Sequence, residues 1–160
     1  MILPIASAAW FVGGAMADHA LLPEKIASHF SVSGVPDGWM SKSAFTGLML
    51  ALGLGVPAFV MGILYVIRFL PSRFLNVPNA AYWRVSGNYH RACDFIFLSS
   101  LWYGGAILIW QRFFLKLVVS ANQVSPPRLD TGKAMLVTAP LLVVSVGWVV
   151  VLIMRFRRDC

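Results

Sequence analysis

Charge is scarce in this chain, and acid is scarcer than base. Of 160 residues only six are Asp or Glu and 13 are Lys or Arg, so charged residues make up 12% of the sequence against 59% hydrophobic. An ordinary soluble domain carries about 25% charged residues, and the mean hydropathy of +0.76 places this chain outside that class. Cysteine is nearly absent as well. Cys93 and Cys160 have neither the spacing of metal ligands nor the number needed for a disulfide framework, and both read as free thiols. No HExxH, GxSxG, P-loop or dinucleotide fingerprint is present, so no sequence signal calls for a metal, a nucleotide or another cofactor, and no residue is assigned as catalytic. The net charge of +7 does not point to nucleic acid, because the basic residues sit between and beside apolar runs rather than along one stripe.

What the sequence has instead is long uncharged segments. Residues 2–17 (ILPIASAAWFVGGAMA) form the shortest, about 24 Å as a helix against a hydrocarbon core of roughly 30 Å, unless the helix continues to Leu21. Ala15-Met16-Ala17 imitates a signal-peptidase site, but no Lys or Arg precedes the run, so it reads as a retained span. Residues 44–70 are long enough to cross with tilt, and Pro57 is expected to kink them. Gly47, Ala51, Gly55, Ala58 and Gly62 line one face of that helix, a seam suited to close packing within the chain or against a second copy. Further spans are expected over 93–114 and 135–154, the last closed by Arg155, Arg157 and Arg158. The six tryptophans fall mostly near span ends, where interfacial anchors belong. The expectation is an all-α polytopic membrane helix bundle of about four transmembrane helices, one domain over 1–160, with the lipid bilayer as its first partner.

Orientation follows from basic residues near span ends. With the N-terminus inside, Arg68, Arg73, Arg84, Arg91, Arg155, Arg157 and Arg158 are cytoplasmic, seven against the six of Lys25, Lys42, Arg112, Lys116, Arg128 and Lys133. Both termini are then cytoplasmic and the loop at 18–42 is extracytoplasmic.

That loop (DHALLPEKIASHFSVSGVPDGWMSK) is the most polar and turn-rich stretch of the chain and reads as ordered. Pro23 suits the first turn of a short helix over 24–28, Pro36-Asp37-Gly38 suits a type I turn, and Ser41 or Ser43 can cap the next span. Leu22, Pro23, Ile26, His29, Phe30, Gly34, Pro36, Asp37, Gly38, Trp39, Ser41 and Lys42 spell LP-x-x-I-x-x-HF-x-x-x-G-x-PDGW-x-SK. A second stretch, NVPNAAYW, places Asn76, Pro78, Asn79, Tyr82 and Trp83 in a short loop after the following span. Over roughly its first hundred residues the chain resembles a family of small bacterial membrane proteins known as a domain of unknown function, DUF1648, distantly similar to the immunity protein for the sporulation-delaying toxin. The resemblance implies a helical domain in the bacterial cytoplasmic membrane whose first loop faces away from the cytoplasm. The immunity member protects the membrane from a peptide toxin and signals by holding a repressor at the membrane, so the resemblance extends to an immunity-like binding or signalling role.

Candidate site residues follow from the loop. His29, Asp37 and Lys42 offer an imidazole, a carboxylate and an ammonium, sufficient for proton transfer or anion capture, with Phe30, Gly34 and Trp39 beside them in a loop expected to recognise a peptide, lipid or partner protein. The same residues have structural readings: Asp37 as a turn residue, Lys42 as an interfacial snorkeller, His29 as a tether of the loop to the bundle. His19 and His29 are ten residues apart, which matches no zinc-ligand spacing. His90 and Asp94 share a helical face near the start of the third span, with Ser86 as the expected cap, and pair locally or mark an ion path. The functional expectation is a binding or signalling module. The alternatives are a membrane enzyme acting on lipid or peptide through His29 and Asp37, or a small transporter centred on His90 and Asp94.

Overall fold

A computed structural model describes residues 2–157. Arg158 of the expected terminal arginine cluster and Cys160 lie outside the described residues. Helix α1 covers Ile2–His19 and leads into a β-hairpin, β1 Lys25–Phe30 and β2 Pro36–Ser41, which runs directly into α2, Lys42–Val66. Two 3-10 turns, Ile67–Phe69 and Ser72–Phe74, and the single-turn helix α3, Ala80–Trp83, reverse the chain into α4, Ser86–Asn122. A short connector leads to α5, Thr131–Arg157.

The chain is mostly helical, and three of the described helices are long and apolar enough to cross a membrane: Lys42–Phe69, Ser86–Asn122 and Thr131–Arg157. Helix α1 falls outside that set, because Asp18 and His19 occupy the end of an 18-residue helix that has no length to spare. It packs mainly along α4, with further contacts to α2. None of the most apolar stretch of α5 is buried, and α2 presents Phe59, Ile63 and Val66 outward, surfaces that lipid rather than water would cover.

The all-α expectation is corrected at residues 25–41. A five-residue helix at 24–28 would be marginal, whereas as a strand Lys25–Phe30 pairs antiparallel with Pro36–Ser41, matching Ile26 with Met40 and Ala27 with Trp39. The reversal also moves. Pro36-Asp37-Gly38 is part of β2, and the turn lies at Ser31–Val35, closed by Ser31 N–H donating to the Val35 carbonyl at 2.8 Å. Gly34 adopts φ +79° there, a conformation in which a glycine carries no steric cost.

Other boundaries shift for local reasons. Ser41 sits just before α2, its hydroxyl accepting from Ala44 N–H at 3.3 Å. Ser86 is not a cap: it is the first helical residue of α4, and Val85 occupies the cap position without a side-chain hydrogen bond. The span expected over 93–114 continues to Asn122, the last residue of α4. At 37 residues α4 is about 55 Å long against a hydrocarbon core of roughly 30 Å, so it extends well past one membrane thickness.

Two buried clusters sit on α4. One lies under the hairpin and joins Phe11, Ile26, Phe45, Leu115 and Val118, and the other joins Leu75, Trp83, Tyr89, Ile96 and Phe156 around the far chain reversal. The bundle-facing side of α2 is Phe45, Thr46, Gly53 and Pro57. Gly47, Gly55 and Gly62 have open space where a Cβ would stand, so the small-residue seam does not serve packing within the chain.

Candidate functional site

The hairpin is held to the bundle along its whole length. Its inner face buries Ile26 against Phe45 and Val118, with Phe30 and Met40 packed around them. Lys42 N–H donates to the Glu24 carbonyl, which sets the alternation of the antiparallel pair. Three residues on, Ala27 therefore turns its N–H and C=O away from β2, toward α4. Asn122 meets both groups: Ala27 N–H donates to Asn122 Oδ1 at 2.7 Å, and Asn122 Nδ2 donates to the Ala27 carbonyl at 2.9 Å. The side-chain amide thus replaces a neighbouring strand. Nδ2 also donates to the Val118 carbonyl at 2.9 Å, which fixes its orientation.

The tip and base are fastened separately. Leu129 N–H donates to the Gly34 carbonyl at 3.0 Å, and a Cβ on Gly34 would fall 2.2 Å from the Leu129 oxygen. At the base, Lys42 Nζ lies 2.7 Å from Glu24 Oε1, and His19 Nδ1 lies 2.9 Å from Thr46 Oγ1. Below the hairpin, Arg112 Nη1 donates to Asp18 Oδ2 at 2.5 Å and Nη2 to Oδ1 at 3.4 Å, joining α4 to the end of α1. Gly14 makes this possible, since a Cβ there would stand 1.9 Å from Arg112 Nε.

With its inner face fixed, the hairpin presents an outer face that brings part of the expected constellation together. His29 Nδ1 and Asp37 Oδ1 are 2.5 Å apart, on side chains that are 75% and 48% exposed. Trp39 is also 48% exposed, with Lys25 Nζ at 5.9 Å from its ring centroid. Lys42 does not join them, being engaged by Glu24 at the hairpin base. Phe30 packs toward the core and Gly34 shapes the turn.

The second motif belongs to the other end of α2. Asn79 takes a left-handed conformation, φ 55°, before α3, and Asn76 and Pro78 line a groove between the chain reversal and α5. Tyr82 stands edge-on to Trp83. Trp83 is not an interfacial anchor: it is buried, donating from Nε1 to the Phe156 carbonyl at 3.0 Å. The two motifs therefore do not form one site. His90 and Asp94 do not pair either. Asp94 accepts from Arg68 Nη2 at 3.0 Å across the α2 to α4 reversal, and exposed His90 lies edge-on to Tyr89.

Four residues with structural roles were not singled out from sequence: Asp18 with Arg112, Asn122, and Asp130. Arg112 counted as a span-end cation in the charge balance, although it lies within an apolar run, the signal that could have prompted a search for a buried acid. Asp130 caps α5, accepting from Lys133 N–H at 2.9 Å, and that backbone donor holds its carboxyl below the usual carboxylate range, with the Lys133 ammonium adding to the effect. Among the described residues no group of three or more His, Cys, Asp or Glu is arranged to hold a metal ion.

The family model for a domain of unknown function, DUF1648, matches residues 5–54. The match runs from α1 through the hairpin into the first half of α2, the unit whose parts have just been described. No curated protein and no solved structure matches the chain.

Proposed function

We propose, with the DUF1648 match to residues 5–54 as premise, that this membrane protein is a recognition module whose hairpin binds an extracytoplasmic peptide or protein. The observation that carries the reading is the clamp. Asn122, Leu129 and the buried Ile26 hold the hairpin from behind, so His29, Asp37 and Trp39 are displayed in one fixed arrangement. A preorganised surface loses little freedom on binding, and an exposed tryptophan beside a polar pair is a typical anchor for a protein partner.

Topology supports the same reading. With Arg112 withdrawn from the charge count by its ion pair with Asp18, the basic balance becomes seven on the far side against five on the hairpin side, which favours a hairpin outside the cytoplasm and both termini on the cytoplasmic side of a bacterial inner membrane. In this arrangement α1 is a fourth span, its short apolar length completed by the pairing of Asp18 with Arg112. An immunity-like role, in which the bound partner is a peptide toxin, is the particular form that the family resemblance suggests.

The His29 and Asp37 pair favours a second reading, general acid-base chemistry on a lipid or peptide at the outer interface, because a carboxylate on one ring nitrogen orients an imidazole for proton transfer through the other. One experiment separates the two. In a deletion strain with a scorable phenotype, His29→Gln alone is expected to complement, whereas His29→Gln, Asp37→Asn and Trp39→Ala together are expected to fail at normal membrane abundance. Full complementation by the triple variant would overturn recognition through this face, and failure of His29→Gln alone would favour the enzyme.

A further inference from the structure

At the end of the bundle opposite the hairpin, residues 70–78 form a strap beside α4 and α5, and the strap leaves a groove of about 470 Å³. Its walls include Leu70 and Leu75 of the strap, Ile96 of α4, and Trp148 and Leu152 of α5. The walls are almost wholly apolar, with two polar exceptions: Asn76 from the second sequence motif, and the indole N–H of Trp148, which is buried without an acceptor.

The groove is edged by positive charge. The guanidinium of Arg73 lies 5.1 Å from the ring of Phe74, itself a wall residue, and Arg84 Nε donates to the carbonyl of Leu75 at 3.1 Å. Both arginines are otherwise exposed. The only described acid at this end, Asp94, is taken by Arg68. Among the described residues, two cations therefore stand at the rim of an apolar groove with no carboxylate to neutralise them.

We propose that this groove binds an anionic phospholipid, with an acyl chain along the α4 to α5 wall and the phosphate between Arg73 and Arg84. The occupant follows from the surroundings. The walls belong to membrane-spanning helices, so hydrocarbon is the medium that fills the groove, and the unneutralised rim selects a headgroup of net negative charge. A zwitterionic headgroup brings its own cation to the same rim and forfeits much of that attraction. Asn76 and Pro78 then have a defined part, shaping the strap that closes the groove, distinct from the recognition proposed for the hairpin.

The test is native mass spectrometry of the full chain in detergent, titrated separately with phosphatidylglycerol and with phosphatidylcholine of identical acyl chains. Two arginines near a headgroup give an expected preference for phosphatidylglycerol of about 30-fold. Arg73→Gln with Arg84→Gln should abolish the preference, and Arg73→Lys with Arg84→Lys should keep most of it. Val149→Trp, which fills the groove from α5, should weaken both lipids without touching either arginine. Equal binding of the two lipids by the unaltered protein, a preference that survives the glutamine pair, or adducts unchanged by Val149→Trp would each overturn the proposal.

Discussion

The ion pair between Asp18 and Arg112 is the sharpest test of how α1 is held. Their side chains are 11% and 5% exposed, and Arg112 Nε has no partner beyond the pair, so neither charge has water to fall back on. Asp18→Ala leaves the guanidinium buried and uncompensated, which costs about 3–5 kcal/mol when one partner of a buried pair is removed. Arg112→Met leaves the carboxylate in the same position and is expected to cost a similar amount. The double variant Asp18→Ala with Arg112→Met removes both charges and fills most of the vacated space with thioether, so its cost should fall to about 1 kcal/mol or less, because an apolar replacement of a buried pair is often neutral. The assay is reversible unfolding in mixed micelles for the four proteins of this cycle, with tryptophan fluorescence and helical ellipticity as independent probes. A coupling energy of about 3 kcal/mol or more supports the argument. Additive losses, or single variants that each cost under about 1 kcal/mol, would show that the pair is solvated and that α1 is held by packing alone.

Two further predictions concern the hairpin side. Asn122→Ala strips the Ala27 amide and carbonyl of their partner and leaves both buried, a loss of about 2–4 kcal/mol that should appear in hydrogen exchange as selective deprotection of Ala27 while α4 stays protected. At Asp130 the carboxyl is held low by Lys133 N–H, so its contribution to the start of α5 is present above the ordinary carboxylate pKa and is lost as pH falls through the depressed folded value. Exchange at Lys133, corrected for intrinsic rate, should therefore rise at acid pH in the unaltered protein, and that acid-dependent rise should be missing in Asp130→Asn.

Sequence reading was most successful where the chain answers to one solvent. The three long apolar stretches beginning near residues 44, 93 and 135 all became helices, since each carries its own hydrogen-bond partners and needs only length and composition. It was least successful where a residue answers to a partner far along the chain. Strand β1 depends on an amide 95 residues downstream, and Arg112 on a carboxylate 94 residues upstream, so neither could be read from local pattern. Asp94 illustrates the same limit: spacing along one helix suggests His90 or Arg91, but folding back of the chain supplies Arg68. The proximity of His29 and Asp37 required the hairpin register, which in turn required knowing that Gly34, rather than Pro36-Asp37-Gly38, makes the turn.

Helix α4 is bonded to other parts of the chain near both of its ends. Its fourth residue, Tyr89, donates to the carbonyls of Ile67 and Leu70 after α2, and its last, Asn122, holds β1. A rigid rod pinned at both ends sets a fixed distance between the hairpin and the strap. A slide of α4 by two residues along its axis, about 3 Å, would exceed the tolerance of either set of hydrogen bonds, so a change in the height of the hairpin must be matched at the strap or be accompanied by rupture of one pin.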